Sequence, residues 1–162
     1  MFIYSIRAST IKFFCLVCLL VAVLVGIIVL GGDSAVYTSA TGEVNFGGIK
    51  TKDDRISFIE KFGIEINKDS ETEEKFVLPE NFDKVIEGYN QLQLSQGLNL
   101  KKYAKKRVMH YSYEVTNCAH EGSVYVNLLV YRGRIIACDM SSSEQGGFVV
   151  PLVNMDKDLL IM

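Results

Sequence analysis

A chain of 162 residues with 17 Lys and Arg against 19 Asp and Glu has a formal net charge of −2, which leaves no whole-molecule field to recruit nucleic acid or an anionic surface. The hydrophobic fraction of 49% is inflated by one early apolar run, and most of the charge lies after residue 50. The distal part therefore has the composition and length of one ordinary α+β domain.

Residues 13–30, FFCLVCLLVAVLVGIIVL, are eighteen residues without a charge or a proline. A helix of that length spans roughly 27 Å, close to the hydrocarbon thickness of a bilayer. With its flanks it predicts a transmembrane helix at 11–31. The lead, residues 1–10, carries Arg7, Lys12 follows it, and no acid precedes Asp33, so the positive-inside rule puts the N-terminus in the cytoplasm and the rest of the chain outside. A cleaved secretory signal is the competing reading, through the small residues Thr38-Ser39-Ala40. The apolar run is longer than a signal core, and Thr38 is a poor substitute for alanine at a cleavage site. Cys15 and Cys18 form a C-x-x-C, but within hydrocarbon they read as small apolar side chains.

Residues 32–50 read as a flexible tether, since the stretch 31–50 holds five of the thirteen glycines and has no sustained period. The remaining domain, 51–162, opens with a helix at 53–62 capped by Thr51 or Asp53, its stripe being Ile56, Ile59 and Phe62 with Phe58 to the side. A short strand at 64–66, a solvated acidic loop at 69–74 and a second short strand at 76–78 follow. Pro79 is read as opening a helix over 80–96 whose packed side holds Phe82, Val85, Ile86, Tyr89, Leu92 and Gln96. Beyond the plugs Leu98, Leu100 and Tyr103, the basic residues Lys101, Lys102, Lys105, Lys106 and Arg107 form a candidate anionic-surface contact. The alternative is a solvated loop balanced by the acids at 69–74.

The last third is strand-like. Residues 107–117 alternate, with Met109, Tyr111, Tyr113 and Val115 on one face and His110, Ser112, Glu114 and Thr116 on the other. Residues 123–131 and 134–140 flank Arg132-Gly133, a tight-turn signal. These strands make an antiparallel meander covered on its apolar face by the two helices: a two-layer α+β domain in the order α-β-β-α-β-β-β. Residues 141–150 form a loop with room for a last short strand, and the apolar tail is expected to dock.

The segments RISFIEKFGIEI (55–66), VLPENFDKVIEGYNQLQLSQGLNLKKYAKKRVMHYSYEVTN (77–117) and VNLLVYRGRIIACDM (126–140), in that order of elements, resemble an uncharacterised family of bacterial domains of unknown function. Its members pair one N-terminal membrane segment with a small α+β domain. The resemblance implies a bacterial, membrane-anchored protein and brings no activity, cofactor or catalytic residue. The tail beyond Phe148 is longer and more apolar than the family pattern.

Nucleophile and base types lie close together at Cys118-Ala119-His120-Glu121, with His110 nearby. That set could serve thiol catalysis or ligate zinc, but four adjacent loop residues rarely converge on one point, and no second C-x-x-C or H-x-x-x-H completes a metal set. With turns at 119–120 and 132–133, Cys138 falls opposite Asn127 and Asn127 opposite Ser112. That leaves Cys118 roughly 20 Å from Cys138, too far for a disulfide, so free thiols are expected. Asp139 could point either way from its strand; it reads as the strand's exit into solvent, with a buried, partnered carboxylate as the alternative. Gly31-Gly32 and Gly47-Gly48 open no phosphate loop. No cofactor or metal is implied. The composite expectation is a membrane-anchored, non-catalytic module binding an envelope protein or peptide, with a thiol-dependent or hydrolytic enzyme using Cys118 and His120 as the alternative. A structural or regulatory module acting through the membrane helix is a third reading, without a small-xxx-small pattern to support it.

Overall fold

The computed structural model describes residues 37–39 and 42–162, apart from Glu121, Gln145, Asn154 and Met162. The anchor at 11–31, the lead at 1–10 and the first part of the tether lie outside the described residues. Among those described, no helix is long and apolar enough to cross a membrane.

The fold is α+β, with two helices and one five-stranded antiparallel sheet. A small hairpin comes first, β1 (Tyr37–Ser39) with β2 (Gly42–Val44). Then follow α1 (Lys52–Glu60), β3 (Thr72–Val77), α2 (Lys84–Leu94), β4 (Arg107–Glu114), β5 (Val124–Tyr131), β6 (Arg134–Ser142) and β7 (Val149–Pro151). The five strands lie side by side in the order β3-β4-β5-β6-β7, each antiparallel to the next.

Several expectations are corrected. Residues 64–66 reduce to a single bridge, Ile66 to Val115, and residues 72–74 of the acidic stretch 69–74 belong to β3, where they are exposed. Pro79 does not open the second helix. Asp83 caps it, accepting from the Ile86 N–H at 2.8 Å. Residues 46–50, read as tether, are fastened to β6: Ile135 N–H donates to the Phe46 carbonyl and Ile49 N–H to that of Gly133. Phe46 is buried against Phe58, centroids 6.0 Å apart, which is why Phe58 belongs to the core rather than beside it.

The two-layer expectation is also corrected, because the helices occupy opposite faces. Residues in register share a face of a sheet. Tyr111, Leu128 and Cys138 are in one row, and Ser112, Asn127 and Asp139 in the next. On the first face α1 packs Phe58 and Ile59 against Tyr113, Val126, Leu128 and Met140. On the second, Tyr89 of α2 and nearby Phe82 pack against Val108, Leu129 and Ala137.

Thr51 starts α1 as expected, in a reciprocal capping box with Asp54. One side chain then locks α1 down. Arg55 stacks 3.7 Å over the Tyr111 ring and donates to Tyr113 Oη at 2.9 Å and to Glu71 Oε1 at 2.6 Å. Lys52 closes on the other Glu71 oxygen at 3.2 Å. Burial pushes the Glu71 carboxyl up, but the bonds from Tyr113, Arg55 and Lys52 prevail and hold it below its usual range.

The inner side of α2 is more polar than expected, since the predicted packed side named Gln96 but neither Asn90 nor Gln93, and it included Val85. Val85 is 79% exposed, whereas Asn90, Gln93 and Gln96 are buried. Asn90 Oδ1 accepts from the Leu100 N–H, securing the turn of 3-10 helix at Leu100–Tyr103. Gln93 Oε1 accepts from the Cys138 N–H at 3.0 Å, and Gln96 Nε2 donates to the Cys138 carbonyl at 2.7 Å. Gln96 Oε1 accepts from the Val153 N–H at 3.0 Å. The next ladder rung beyond Asp139↔Pro151 is thus made by two glutamine side chains. Beyond it the tail docks: Leu152 and Val153 are buried, and Leu160 bridges to Cys118.

Replacing Gln96 by Ala strips partners from two buried backbone groups, so urea unfolding of Gln96→Ala should show a loss of about 2–4 kcal/mol. Exposed Gln91→Ala on the same helix should change stability by less than about 0.5 kcal/mol. Equal effects at both positions would show that the glutamine rung carries nothing.

Candidate functional site

The unexpected constellation is centred on Asp139. Instead of leaving the sheet into solvent, it is 3% exposed. Tyr89 Oη donates to its Oδ1 at 2.5 Å and Asn127 Nδ2 to its Oδ2 at 2.9 Å. Asn127 also donates to Ser141 Oγ at 2.9 Å, so its Oδ1 faces His110 Nε2 at 3.2 Å as acceptor and the imidazole carries its proton there. The cause is a bulge. Val130 pairs with Ile135 but Leu129 pairs with Ala137, leaving Ile136 unpaired and turning Asp139 rather than Cys138 towards Asn127. Sequence reasoning placed Ser112 opposite Asn127 correctly and missed the extra residue.

Burial raises the Asp139 pKa, and the bonds from Tyr89 and Asn127 only partly offset it. Burial, with the Asp139 charge beside it, likewise pushes the Tyr89 hydroxyl up. Both oxygens of Asp139 and the whole amide of Asn127 are engaged within the network, which ties α2 to the sheet.

The residues picked from sequence are not brought together as a reactive centre. His120 is exposed, its ring edge-on to Phe148 with centroids 5.1 Å apart, while Cys118 is half-buried against the Leu160 bridge. Glu121 lies outside the described residues. Cys118 and Cys138 are free thiols, and no group of three or more potential ligands able to hold a metal occurs among the described residues. Burial, with the Asp139 charge beside it, pushes the Cys138 thiol up, which makes it inert.

Lys101, Lys102, Lys105, Lys106 and Arg107 are all exposed. Lys101 pairs with Glu87 at 2.9 Å and Lys105 with Glu80 at 2.6 Å, so the balancing acids come from the α2 region and not from 69–74. Glu80, Glu87 and Lys101 also line a shallow depression of about 330 Å³ with Asn81, Phe82 and Ala104, and their charges are already matched there. Lys105 sits at φ 62°, where the chain turns to pair Leu78 with Lys106.

Unused hydrogen-bonding capacity is concentrated on β3. The strand ends the sheet, and five of its six residues are exposed. Leu78 N–H donates to Lys106, so the even-numbered residues of β3 bond to β4. By alternation, Glu73, Lys75 and Val77 aim their N–H and C=O groups away from the sheet. The opposite end of the sheet is closed differently: residues 46–49 cover the start of β6, the two glutamines cover its middle, and the three-residue β7 covers its end. Among the described residues β3 is the long open edge. Sequence reasoning found only the end of this strand, at 76–78, because the charges of residues 73–75 carry no apolar alternation and the stretch 69–74 read as a loop.

No family model, no curated protein and no solved structure matches this chain.

Two measurements test the site chemistry. A raised Asp139 pKa means that the folded state holds that proton more tightly than the unfolded chain. Its contribution is therefore full at acid pH and lost as pH rises through the folded value. The stability of Asp139→Asn relative to the native protein should accordingly improve between about pH 4 and pH 8, whatever its absolute offset. A flat difference would mean the carboxyl titrates normally. In site-resolved iodoacetamide labelling, Cys118 should react in the native protein and Cys138 only after denaturation, with the Cys118 rate unchanged by His120→Ala. A rate that falls at least about tenfold in that variant would reinstate a thiol–imidazole pair.

Proposed function

We propose that this chain is a single-pass, membrane-anchored binding module of the bacterial cell envelope. Residues 11–31 cross the bilayer, residues 1–10 remain in the cytoplasm, and the α+β domain stands outside. There it takes up an extended segment of an envelope protein or peptide as an added strand. The anchor rests on the uncharged run at 13–30 and its basic lead, and the bacterial setting on the resemblance to membrane-anchored domains.

The observation that carries the binding reading is the β3 edge: six residues long, five of them exposed, with three outward peptide groups and no covering element among the described residues. The thiol-enzyme alternative gains no support from the separate surroundings of Cys118 and His120.

Photo-crosslinking in intact cells tests it, with benzoylphenylalanine replacing Glu73 or Lys75 in turn and exposed Lys157 as control. Discrete adducts are expected from the two edge positions alone. On spheroplasts, added protease should remove a C-terminal tag from a chain that stays with the membrane. A protected tag would refute the topology, and equal adducts at Lys157 would refute the edge.

A further inference from the structure

The β3 strand carries its charges in the order Glu73, Glu74, Lys75, between Thr72 and Phe76. Its peptide groups at Glu73, Lys75 and Val77 point away from the sheet, and a strand that meets them must offer outward groups of its own at matching positions. A second copy of β3 does so in any antiparallel two-fold register, because the axis passes between two identical residues and sets odd-numbered positions opposite odd-numbered ones. The two registers that overlap most of the strand centre on Glu74 or on Lys75. Centred on Lys75, the pairing sets Lys75 against itself, Glu73 opposite Val77 and Glu74 opposite Phe76, and brings no opposite charges together. Centred on Glu74, it sets Glu73 opposite Lys75 twice, both in hydrogen-bonded rungs, against a single Glu74–Glu74 contact on the other face of the sheet, where Thr72 lies opposite Phe76. Two attractive pairs against one repulsive pair decide the register.

We propose that the strand added at the β3 edge is the β3 of a second copy of this chain, paired antiparallel about Glu74, so that two five-stranded sheets join into one. This rests on the edge-capture reading above and names its partner: the envelope protein that supplies the strand is the chain itself. Each Glu73–Lys75 rung exchanges two backbone hydrogen bonds, and the side chains above it form an ion pair. The contact closes on itself, since each copy uses its one long open edge among the described residues. The other end of the sheet offers only the three-residue β7, which ends in Pro151 without an N–H. One strand pair is a small interface, so the dimer is weak in dilute solution and gains from two anchors in one bilayer, which hold the copies at high local concentration.

The test uses the full chain in detergent micelles, with dimer formation followed by fluorescence energy transfer between donor- and acceptor-labelled copies. Lys75→Glu or Glu73→Lys alone turns both ion pairs into repulsions and should weaken the dimer about tenfold at low salt, with the gap closing as salt rises. The double exchange of Glu73→Lys with Lys75→Glu sets opposite charges together again and should bring the affinity back, and Glu74→Gln removes the one repulsion and should tighten the dimer. Lys75→Pro removes an outward N–H without touching the bonds to β4 and should abolish it. Oxidation reads the register. With Cys15, Cys18 and Cys118 replaced by Ala, Glu74→Cys should cross-link two copies, whereas Glu73→Cys or Lys75→Cys alone should not, since identical positions there stand roughly 8 Å apart, beyond disulfide reach. Cross-linking through Lys75→Cys instead, or a double exchange no tighter than the single reversals, would overturn the pairing about Glu74. A dimer indifferent to Lys75→Pro would place the contact elsewhere and overturn the proposal. A monomeric chain whose edge captures a different protein in the cellular photo-crosslinking would overturn self-pairing and leave edge capture standing, and a monomer with no edge adduct would overturn both.

Discussion

Much of the domain is arranged around the need to satisfy the backbone of β6. Residues 135–140 are buried without a break, so their peptide groups have no recourse to water and must find partners in the protein. β5 serves one side along the strand, apart from the bulge at Ile136. No element serves the other side alone. The segment at 46–49, Gln93 of α2 with Gln96 just beyond its end, and the short β7 divide it among them, which explains features that look unrelated in sequence. A glycine-rich stretch becomes part of the sheet, a helix buries its amides rather than its valine, and an apolar tail folds back instead of trailing.

The bulge at Ile136 acts on the same strand with a different result. A strand buried on both faces needs apolar residues in succession, and Ile135 and Ile136 are both almost wholly buried on either side of the irregularity. The extra residue reverses which face each later side chain meets. Cys138 joins the core beneath α1, and Asp139 turns to the α2 face, where Tyr89 and Asn127 receive it. A buried carboxylate is tolerated because its oxygens are bonded, at the cost of a raised proton affinity. The same two positions in a regular ladder would exchange roles.

This arrangement also marks how far the residues alone could be read. Periodicity located both helices, the three long strands, the Arg132-Gly133 turn and the Ser112↔Asn127 register, because those rest on local alternation and turn chemistry. Arg132 and Gly133 both take positive φ, 47° and 75°, as a two-residue hairpin turn of this kind requires. What escaped was set by non-local demand. Nothing near Gln93 or Gln96 indicates that a strand forty residues later lacks a neighbour, and nothing in Ile135-Ile136 distinguishes a bulge from a regular pair. Glu73 and Glu74 misled for the opposite reason: charge argues against a buried strand but not against an edge strand, where it remains solvated.

The contrast between the two ends of the sheet bears on function. At β6 the chain devotes three separate elements to covering one edge, whereas no element among the described residues covers β3. Glu71, just before β3, is fixed by Arg55, Lys52 and Tyr113, and Leu78, just after it, is bonded to Lys105 and Lys106. An edge clamped at both ends gives up little conformational freedom when a partner strand arrives, so more of the backbone hydrogen-bond energy is available for binding. On the reading proposed above, an edge held at both ends and open between them suits recognition of another chain.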